Sequence, residues 1–290
     1  MAAMKKAVVA SPPIAPRVRH LAGARSWPLW LALGGLTLAA FLLRAWTIGQ
    51  SLPYVDHTDE PNPIYYVVNM LHTGDPNQQF FQKPSLYIYL LLAALQLHYA
   101  WGQATGLYGE IAAMVVTTHT VTTIPGFFLT ARLVTASFGA LTVLSAYALG
   151  VRGWGRAAGL AGALFVALLP FHLRFSQWAT TDVLAAFLVS LSLGAAILVA
   201  QSGRWSAYVV AGAFAGLAAS AKYNAGAVTG AIVVASVVGA LAESGGVRRG
   251  GGVAPIRLWA GKYAPRLAAA GLAAIACFVA GTPYALLSWG

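Results

Sequence analysis

Long apolar runs alternate with short polar segments along the whole of this 290-residue chain. A helix needs about 20 apolar residues to cross a bilayer, and several of the runs approach that length. The pattern predicts an all-α, polytopic membrane protein with about seven transmembrane helices. The predicted spans are residues 28–48, 131–149, 157–171, 183–200, 206–221, 225–242 and 267–287.

The amino-acid composition favours the same class of protein. Hydrophobic residues make up 59% of the chain and charged residues only 9%, whereas charged residues make up roughly 25% of a typical soluble domain. The net charge of +11 comes from basic residues spread over short segments between the runs. Topology signals have this distribution, so we predict a lipid bilayer as partner and no nucleic acid. The single cysteine, Cys277, excludes an internal disulfide and a cysteine-based metal site.

One further apolar stretch, residues 85–101, is ambiguous because it is short and contains several polar residues. If it crossed the membrane, every later loop would change sides. The basic 243–266 loop would then lie outside, against the positive-inside rule. We therefore predict that residues 65–71 and 85–101 form juxtamembrane helices within a large extracytoplasmic loop, 49–130. The basic N-terminus, residues 1–27, is predicted to be cytoplasmic, and the chain a multi-pass protein of the cell (plasma) membrane.

With this topology, six of the seven acidic residues lie on the outer face. Three of them, Asp56, Asp59 and Glu60, form a cluster after the first span. Asp59 is well placed to cap a helix that Pro61 begins, but a cap explains one acid and not three. Repulsion between close carboxylates makes one of them a better proton acceptor. We therefore predict a catalytic role for Asp59 and Glu60.

The loop that carries this acidic cluster contains three other potential metal ligands, His57, His72 and Asp75. A divalent metal held by Asp59 and His57 is an alternative role for the cluster, but the spacing matches no standard ligand pattern. We predict that no cofactor is required.

Several cations are predicted on the same outer face, and one of them, Lys83, also has a simple structural explanation. Lys83 precedes a helix start, where a lysine side chain often extends to the membrane interface. Lys222 interrupts two short spans, and a cation at that level needs a partner or water. Together with the carboxylates, these cations fit the transfer of a group from a lipid phosphate to a hydroxyl. The other candidates for binding phosphate or substrate on this face are Asp75, Arg132, His172, Arg174, Asp182 and Tyr223.

Six short motifs follow one another in a recognisable order. They are Asp59-Glu60, Gly74-Asp75, Lys83-Pro84-Ser85-Leu86-Tyr87, Arg132-Leu133, Thr181-Asp182 and Ala221-Lys222-Tyr223-Asn224. This order, over about residues 30–285, resembles that of the type C (GT-C) membrane glycosyltransferases, in particular the protein O-mannosyltransferases and aminoarabinose transferases. Two positions depart from the pattern: Gln82 stands where many relatives have Glu, and Ser85 where many have a second Pro.

The resemblance implies an inverting enzyme that moves a sugar from a polyprenyl-phosphate donor to a hydroxyl of a protein or glycolipid acceptor at the extracytoplasmic face. It also implies that Asp59 is the base, that Lys83 contacts the donor phosphate and that Asp182 lines the same cavity. Relatives usually continue with further spans. We therefore expect residues 28–290 to be the catalytic core without the usual C-terminal half.

Two other classes of function remain open. A transporter of lipid-linked substrates would need ionisable groups near the middle of the membrane and usually has repeated halves. Neither feature is evident in the sequence. A non-catalytic membrane subunit is the second alternative, because of the missing C-terminal half.

Overall fold

The computed structural model describes residues 27–116, 121–244 and 254–288. These residues form helices joined by loops, and within them no β-strand occurs beyond one isolated bridge between Tyr54 and Val121. The predicted all-α, polytopic membrane fold is confirmed. The predicted cytoplasmic N-terminus lies almost entirely outside the described residues.

Most of the described residues belong to helices that match the predicted spans. Five helical stretches in these ranges are long and apolar enough to cross a membrane, namely 27–45, 125–154, 181–202, 223–243 and 256–281. The two other predicted spans are apolar helices of 13 and 17 residues, shorter than the roughly 20 residues of a typical crossing. In chain order the described α-helices are α1 (Trp27–Ala45), α2 (Pro61–Thr73), α3 (Leu86–Ala104), α4 (Pro125–Trp154), α5 (Arg156–Leu168), α6 (Pro170–Phe175), α7 (Thr181–Ser202), α8 (Trp205–Ala221), α9 (Thr229–Glu243), α10 (Ala254–Leu258), α11 (Ala264–Gly281) and α12 (Tyr284–Leu287).

Prolines and a glycine set the helix boundaries that shape the candidate site. Pro61 begins α2 and Pro125 begins α4, and the first turn of a helix tolerates proline because its N–H groups have no partner within the helix. Pro170 separates α5 from α6, since proline cannot donate the hydrogen bond that a continuous helix needs. Gly74 ends α2 with a φ of 69°, a left-handed conformation that favours glycine.

α2 and α3 match the two helices predicted in the first extracytoplasmic loop. Both ends of α3 contact the first half of α4. The Tyr87 hydroxyl lies 2.6 Å from the Thr135 hydroxyl, and His98 Nδ1 lies 3.2 Å from Thr130 Oγ1. α3 therefore stays at one end of the helical bundle. Its placement at a membrane surface stays a prediction.

α8 and α11 pack closely because small residues face one another. A Cβ atom on Gly212 or Gly216 would overlap the backbone of Ala270 or Ala274. Such small-residue contacts allow helix backbones to approach closely in membrane proteins. The position of the C-terminal end of α8, which carries Lys222, is therefore tied to α11.

Contacts between helix ends define two opposite ends of the bundle. At the first, which we name the site end, Arg132 near the start of α4 donates to the carbonyl of Ile48, just after α1. At the opposite end, Lys262 pairs with Glu243. The other six acidic residues of the chain belong to the site end. Which side of a membrane this end faces stays a prediction.

Candidate functional site

A cavity of about 310 Å³, which we name the groove, opens at the site end. One wall comes from α2 and the loop before α3, and the other from the start of α7 and the segment after α8. The groove is lined by Asp59, Asn62, Pro63, Tyr66, Gln82, Lys83, Pro84, Ile88, Thr180, Thr181, Asp182, Lys222, Tyr223 and Asn224.

Two lysine–carboxylate pairs lie in the groove. Lys83 Nζ is 3.1 Å from Asp59 Oδ1 on the first wall, and Lys222 Nζ is 2.5 Å from Asp182 Oδ1 on the second. All four side chains are at least one-third exposed. The structure therefore brings together Asp59, Lys83, Asp182 and Lys222, four residues that the sequence predicted for one site.

The loop before α3 is fixed by hydrogen bonds that present Lys83 to the groove. The buried Gln78 amide donates to the carbonyls of Phe80 and Lys83, at 2.6 and 2.8 Å. From the opposite wall, the Tyr223 hydroxyl donates to the Phe81 carbonyl at 2.9 Å. Tyr223 therefore lines the groove, as predicted, and also connects its two walls.

Helix ends place the second pair. Asp182 lies in the first turn of α7, and Lys222 follows the last residue of α8. The positive end of the α7 dipole favours the carboxylate, and the negative end of the α8 dipole favours the ammonium. Because α7 and α8 run antiparallel, these two ends are adjacent.

Glu60 and Arg132 form a buried ion pair behind the groove, which we name the hub. Arg132 donates to both Glu60 carboxylate oxygens, at 2.7 and 2.8 Å, and also to the Ile48 carbonyl at 2.7 Å. The Ala179 N–H donates to Glu60 Oε1 at 3.0 Å. Glu60 was predicted as catalytic and Arg132 as substrate-binding. The structure places both buried side chains outside the groove, where Glu60 is bound to Arg132 and to backbone. Arg132 also donates to Ser51 Oγ at 3.1 Å and lines a second cavity.

Asp56 connects the acidic cluster to the loop between α6 and α7. Its carboxylate accepts from Arg174 at 2.8 Å and from the Trp178 indole at 3.3 Å. The Arg174 guanidinium also lies 4.7 Å from the centre of the Trp178 ring. Arg174 was predicted to hold the donor phosphate, but here it lies beside a separate cavity of about 230 Å³ and is bound to Asp56.

His172 and Asp75, the two remaining predicted residues, lie outside the groove. His172 Nδ1 is 3.0 Å from a terminal nitrogen of Arg44. Burial, and then the charge of Arg44, lowers the pKa of His172 to about 4, so its imidazole is neutral near pH 7. Asp75 Oδ1 accepts from the Asn77 N–H at 2.9 Å, which is the turn geometry expected after Gly74.

The candidate metal ligands have other partners. The His57 ring packs against Trp178 in a tilted arrangement, with ring centroids 4.4 Å apart, and its Nδ1 accepts from the Asp59 N–H at 3.2 Å. His72 Nε2 lies 2.6 Å from the Ile111 carbonyl. Across the described ranges, no group of three or more His, Cys, Asp or Glu side chains is arranged to hold a metal ion. That no cofactor is required stays a prediction.

The groove also contains residues that the sequence analysis missed. Asn62 and Tyr66 lie one turn apart on α2, and the Tyr66 ring stacks on Phe80 at 5.3 Å. Their spacing of four residues is the signal that they share a helix face. Thr180 precedes the predicted Thr181-Asp182 motif and lines the groove with it.

Part of the chain matches a known protein family. Residues 119–245, a range that includes α4 to α9, match the family model described as dolichyl-phosphate-mannose-protein mannosyltransferase. The match supports a mannosyltransferase-like family of the type C membrane glycosyltransferases. No curated protein matches the chain. The mannosyltransferase-like segment contains Arg132, Asp182 and Lys222, whereas Asp59 and Lys83 come from the chain before it.

Proposed function

We propose that this protein is an inverting glycosyltransferase that moves a sugar from a polyprenyl-phosphate donor to a hydroxyl of a protein or glycolipid acceptor. The observation that carries the proposal is the groove with its two lysine–carboxylate pairs, Asp59–Lys83 and Asp182–Lys222. The match of residues 119–245 to a mannosyltransferase family supports the same reaction class.

Asp59 is the proposed general base. The acceptor oxygen attacks the anomeric carbon, and the bond from that carbon to the phosphate oxygen breaks on the opposite face. The acceptor proton moves to Asp59, and the electron pair of the broken bond leaves with the polyprenyl phosphate. Asp59 suits this role because its carboxylate is about half exposed, whereas that of Glu60 is fully buried.

Lys83 and Lys222 are the proposed phosphate-binding groups. A sugar phosphodiester gains negative charge when it becomes a phosphate monoester, so nearby cations bind the transition state more strongly than the donor. Each lysine is paired with a carboxylate in an exposed setting, and weak exposed pairs exchange readily for another anion. The apolar surfaces of the neighbouring helices would hold the isoprenoid chain.

The sidedness of the reaction is part of the proposal. The end opposite the groove carries Arg152, Arg204, Lys262 and Arg266 and one acid, Glu243. The positive-inside rule favours a cytoplasmic position for that end and an extracytoplasmic one for the groove. Labelling of single cysteines at positions 58 and 181 tests this, and labelling from opposite compartments would exclude a shared groove.

The reaction is tested with purified protein and radiolabelled polyprenyl-phosphate sugars. Asp59→Asn should lower the transfer rate roughly 10²–10⁴-fold, the range for loss of a positioned base. The matched control is Glu243→Gln, which removes a lysine-paired carboxylate at the opposite end and should leave the rate unchanged. A wild-type rate for Asp59→Asn would remove Asp59 from the mechanism. A wild-type protein that releases no polyprenyl phosphate from any donor would favour the transporter or subunit alternatives.

A further inference from the structure

Arg44, in the last turn of α1, is a fully buried cation that makes no salt bridge within the described residues. A buried charge without a counter-charge is costly unless hydrogen bonds compensate it. One terminal nitrogen donates to the Ala40 carbonyl at 2.8 Å. The other lies 3.2 Å from the Val166 carbonyl and 3.0 Å from His172 Nδ1. Arg44 therefore joins α1 to the end of α5 and to α6.

Pro170 explains why α5 offers its carbonyls to Arg44. In a continuous helix the N–H of residue 170 would donate to the Val166 carbonyl, but proline has no N–H. The guanidinium occupies the place of the missing donor. It also lies at the C-terminal end of a helix, where the helix dipole favours a cation.

His172 takes part as a hydrogen-bond acceptor. Because arginine has donors only and stays protonated, Nδ1 of His172 must accept, and the proton of the neutral imidazole must lie on Nε2. Nε2 is buried and has no hydrogen-bond partner among the described residues. The ring is therefore held through Nδ1, which lies 3.0 Å from Arg44 and 3.5 Å from Ser176 Oγ.

Two further contacts fasten the same region. The Gln177 amide donates to the Arg44 carbonyl at 3.2 Å and to Thr47 Oγ1 at 2.7 Å. On the α4 side, a Cβ atom on Gly139 would lie 2.8 Å from Arg44 Nε and would overlap Ser176. The space around the guanidinium is thus filled on the α4 side.

The segment that Arg44 fastens leads directly into the groove. After His172 come Arg174, which binds Asp56, and Ala179, which binds Glu60. Asp182 then enters the groove as part of its second wall. A displacement of α6 would therefore move Asp182 through the chain itself. It would move Asp59 through the contacts of its neighbours Asp56 and Glu60.

We propose that Arg44 and His172 form a latch that sets the position of residues 170–182, and with it the placement of Asp182 relative to Asp59. Both are positioning residues and touch no substrate, which replaces the substrate-binding role predicted for His172. The exchange test of the latch does not depend on the proposed function. Only the activity test rests on that function.

Hydrogen–deuterium exchange of the full chain tests the latch without any substrate. An asparagine at position 172 keeps an acceptor oxygen in the place of Nδ1, whereas a phenylalanine does not. His172→Phe and Arg44→Gln should increase exchange in residues 170–182 while α8 and α11 stay protected. His172→Asn should exchange like the wild type. Arg152→Gln is the matched control, because Arg152 also donates to the carbonyl four residues before it, at the opposite end.

The activity readout separates positioning from general stability. A misplacement of reacting groups by about 1 Å can lower a rate roughly 10²-fold, so His172→Phe should lower kcat by about this factor with little change in KM for the donor. His172→Asn should retain most of kcat. If Arg44→Gln fails to fold, the two His172 variants decide.

Three results would overturn the latch. The first is wild-type exchange in residues 170–182 of His172→Phe. The second is increased exchange over all helices alike, which would indicate a general loss of stability. The third is a His172→Asn variant that behaves like His172→Phe. If the wild type transfers no sugar, the proposed function fails, and exchange alone decides on the latch.

Discussion

The groove and the hub both pair a basic side chain with a carboxylate, but in opposite settings. In the hub, Arg132 and Glu60 are 2% and 0% exposed, and the carboxylate accepts three hydrogen bonds. In the groove, Asp59 is 54% exposed and its carboxylate pairs with Lys83, itself 36% exposed. A fully bonded, enclosed pair has no capacity left for a ligand. A partly exposed pair has free acceptor and donor positions.

The difference separates the roles of three acids that lie within five residues. Glu60 joins the cluster to α4 and to the loop before α7, through Arg132 and Ala179. Asp56 binds Arg174 at the end of α6 and Trp178 on the same loop. Asp59 alone of the three lines the groove. Two acids therefore hold the loop in place, and the third is presented to whatever the groove binds.

The largest expected effect comes from breaking the hub. Arg132→Met leaves the Glu60 carboxylate buried without its counter-charge, and such a loss costs roughly 3–5 kcal/mol of stability. Equilibrium unfolding in detergent micelles measures it. The control is Arg174→Met, which removes an exposed arginine and should cost about 1 kcal/mol or less. Equal stability of the two variants would mean that the hub is no more important than a surface pair.

A smaller effect is expected from the substitution of a groove lysine, which should change activity but not stability. Lys83→Met should lower the transfer rate roughly 10²–10³-fold, the range for loss of one donor to a charge that develops in the transition state. Its unfolding free energy should stay within about 1 kcal/mol of the wild type. Lys262→Met is the matched control, because that lysine is similarly exposed and also paired with a carboxylate. An equal loss of rate in both variants would contradict a specific role for Lys83.

The smallest effect is the coupling between Asp182 and Lys222. A double-mutant cycle on stability should give roughly 0.2–1 kcal/mol for this exposed pair. The coupling should nearly vanish in about 1 M salt, where the Debye length falls to about 3 Å. The same cycle on Arg132 and Glu60 should give a larger coupling free energy, which salt barely changes. If added salt weakened the coupling between Arg132 and Glu60, this would contradict the difference in burial between the hub and the groove.

The sequence predicted the helical fold, and the gathering of the acidic residues at one end of the bundle, better than the burial of each charged side chain. Apolar runs located the helices, because length and hydropathy are local properties of the chain. Asp59, Lys83, Asp182 and Lys222 were predicted for one site and do meet in one groove. The different settings of Asp59 and Glu60, one exposed and one buried, were missed, because adjacent residues on one turn point in different directions.

The missed pairings share a physical cause. Arg132 with Glu60, Arg174 with Asp56 and Arg44 with His172 all join residues far apart in the chain. No local pattern indicates which cation will be enclosed with which acceptor. The sequence does indicate which cations are candidates for burial, because a basic residue inside or beside a predicted span needs a partner. Arg44 and Arg132 are both such residues.

Thr282, just after α11, ties the two walls of the groove together. Its buried hydroxyl lies 2.6 Å from that of Ser220 on α8 and accepts from the Ser85 N–H just before α3. Ser220 stands two positions before Lys222, and Ser85 two positions after Lys83. The distance between these two ammonium groups is thus fixed by a junction outside the residues that line the groove. If the groove binds a lipid-phosphate headgroup as proposed, a change at residue 282 would alter which headgroup fits, with every lining side chain left as it is.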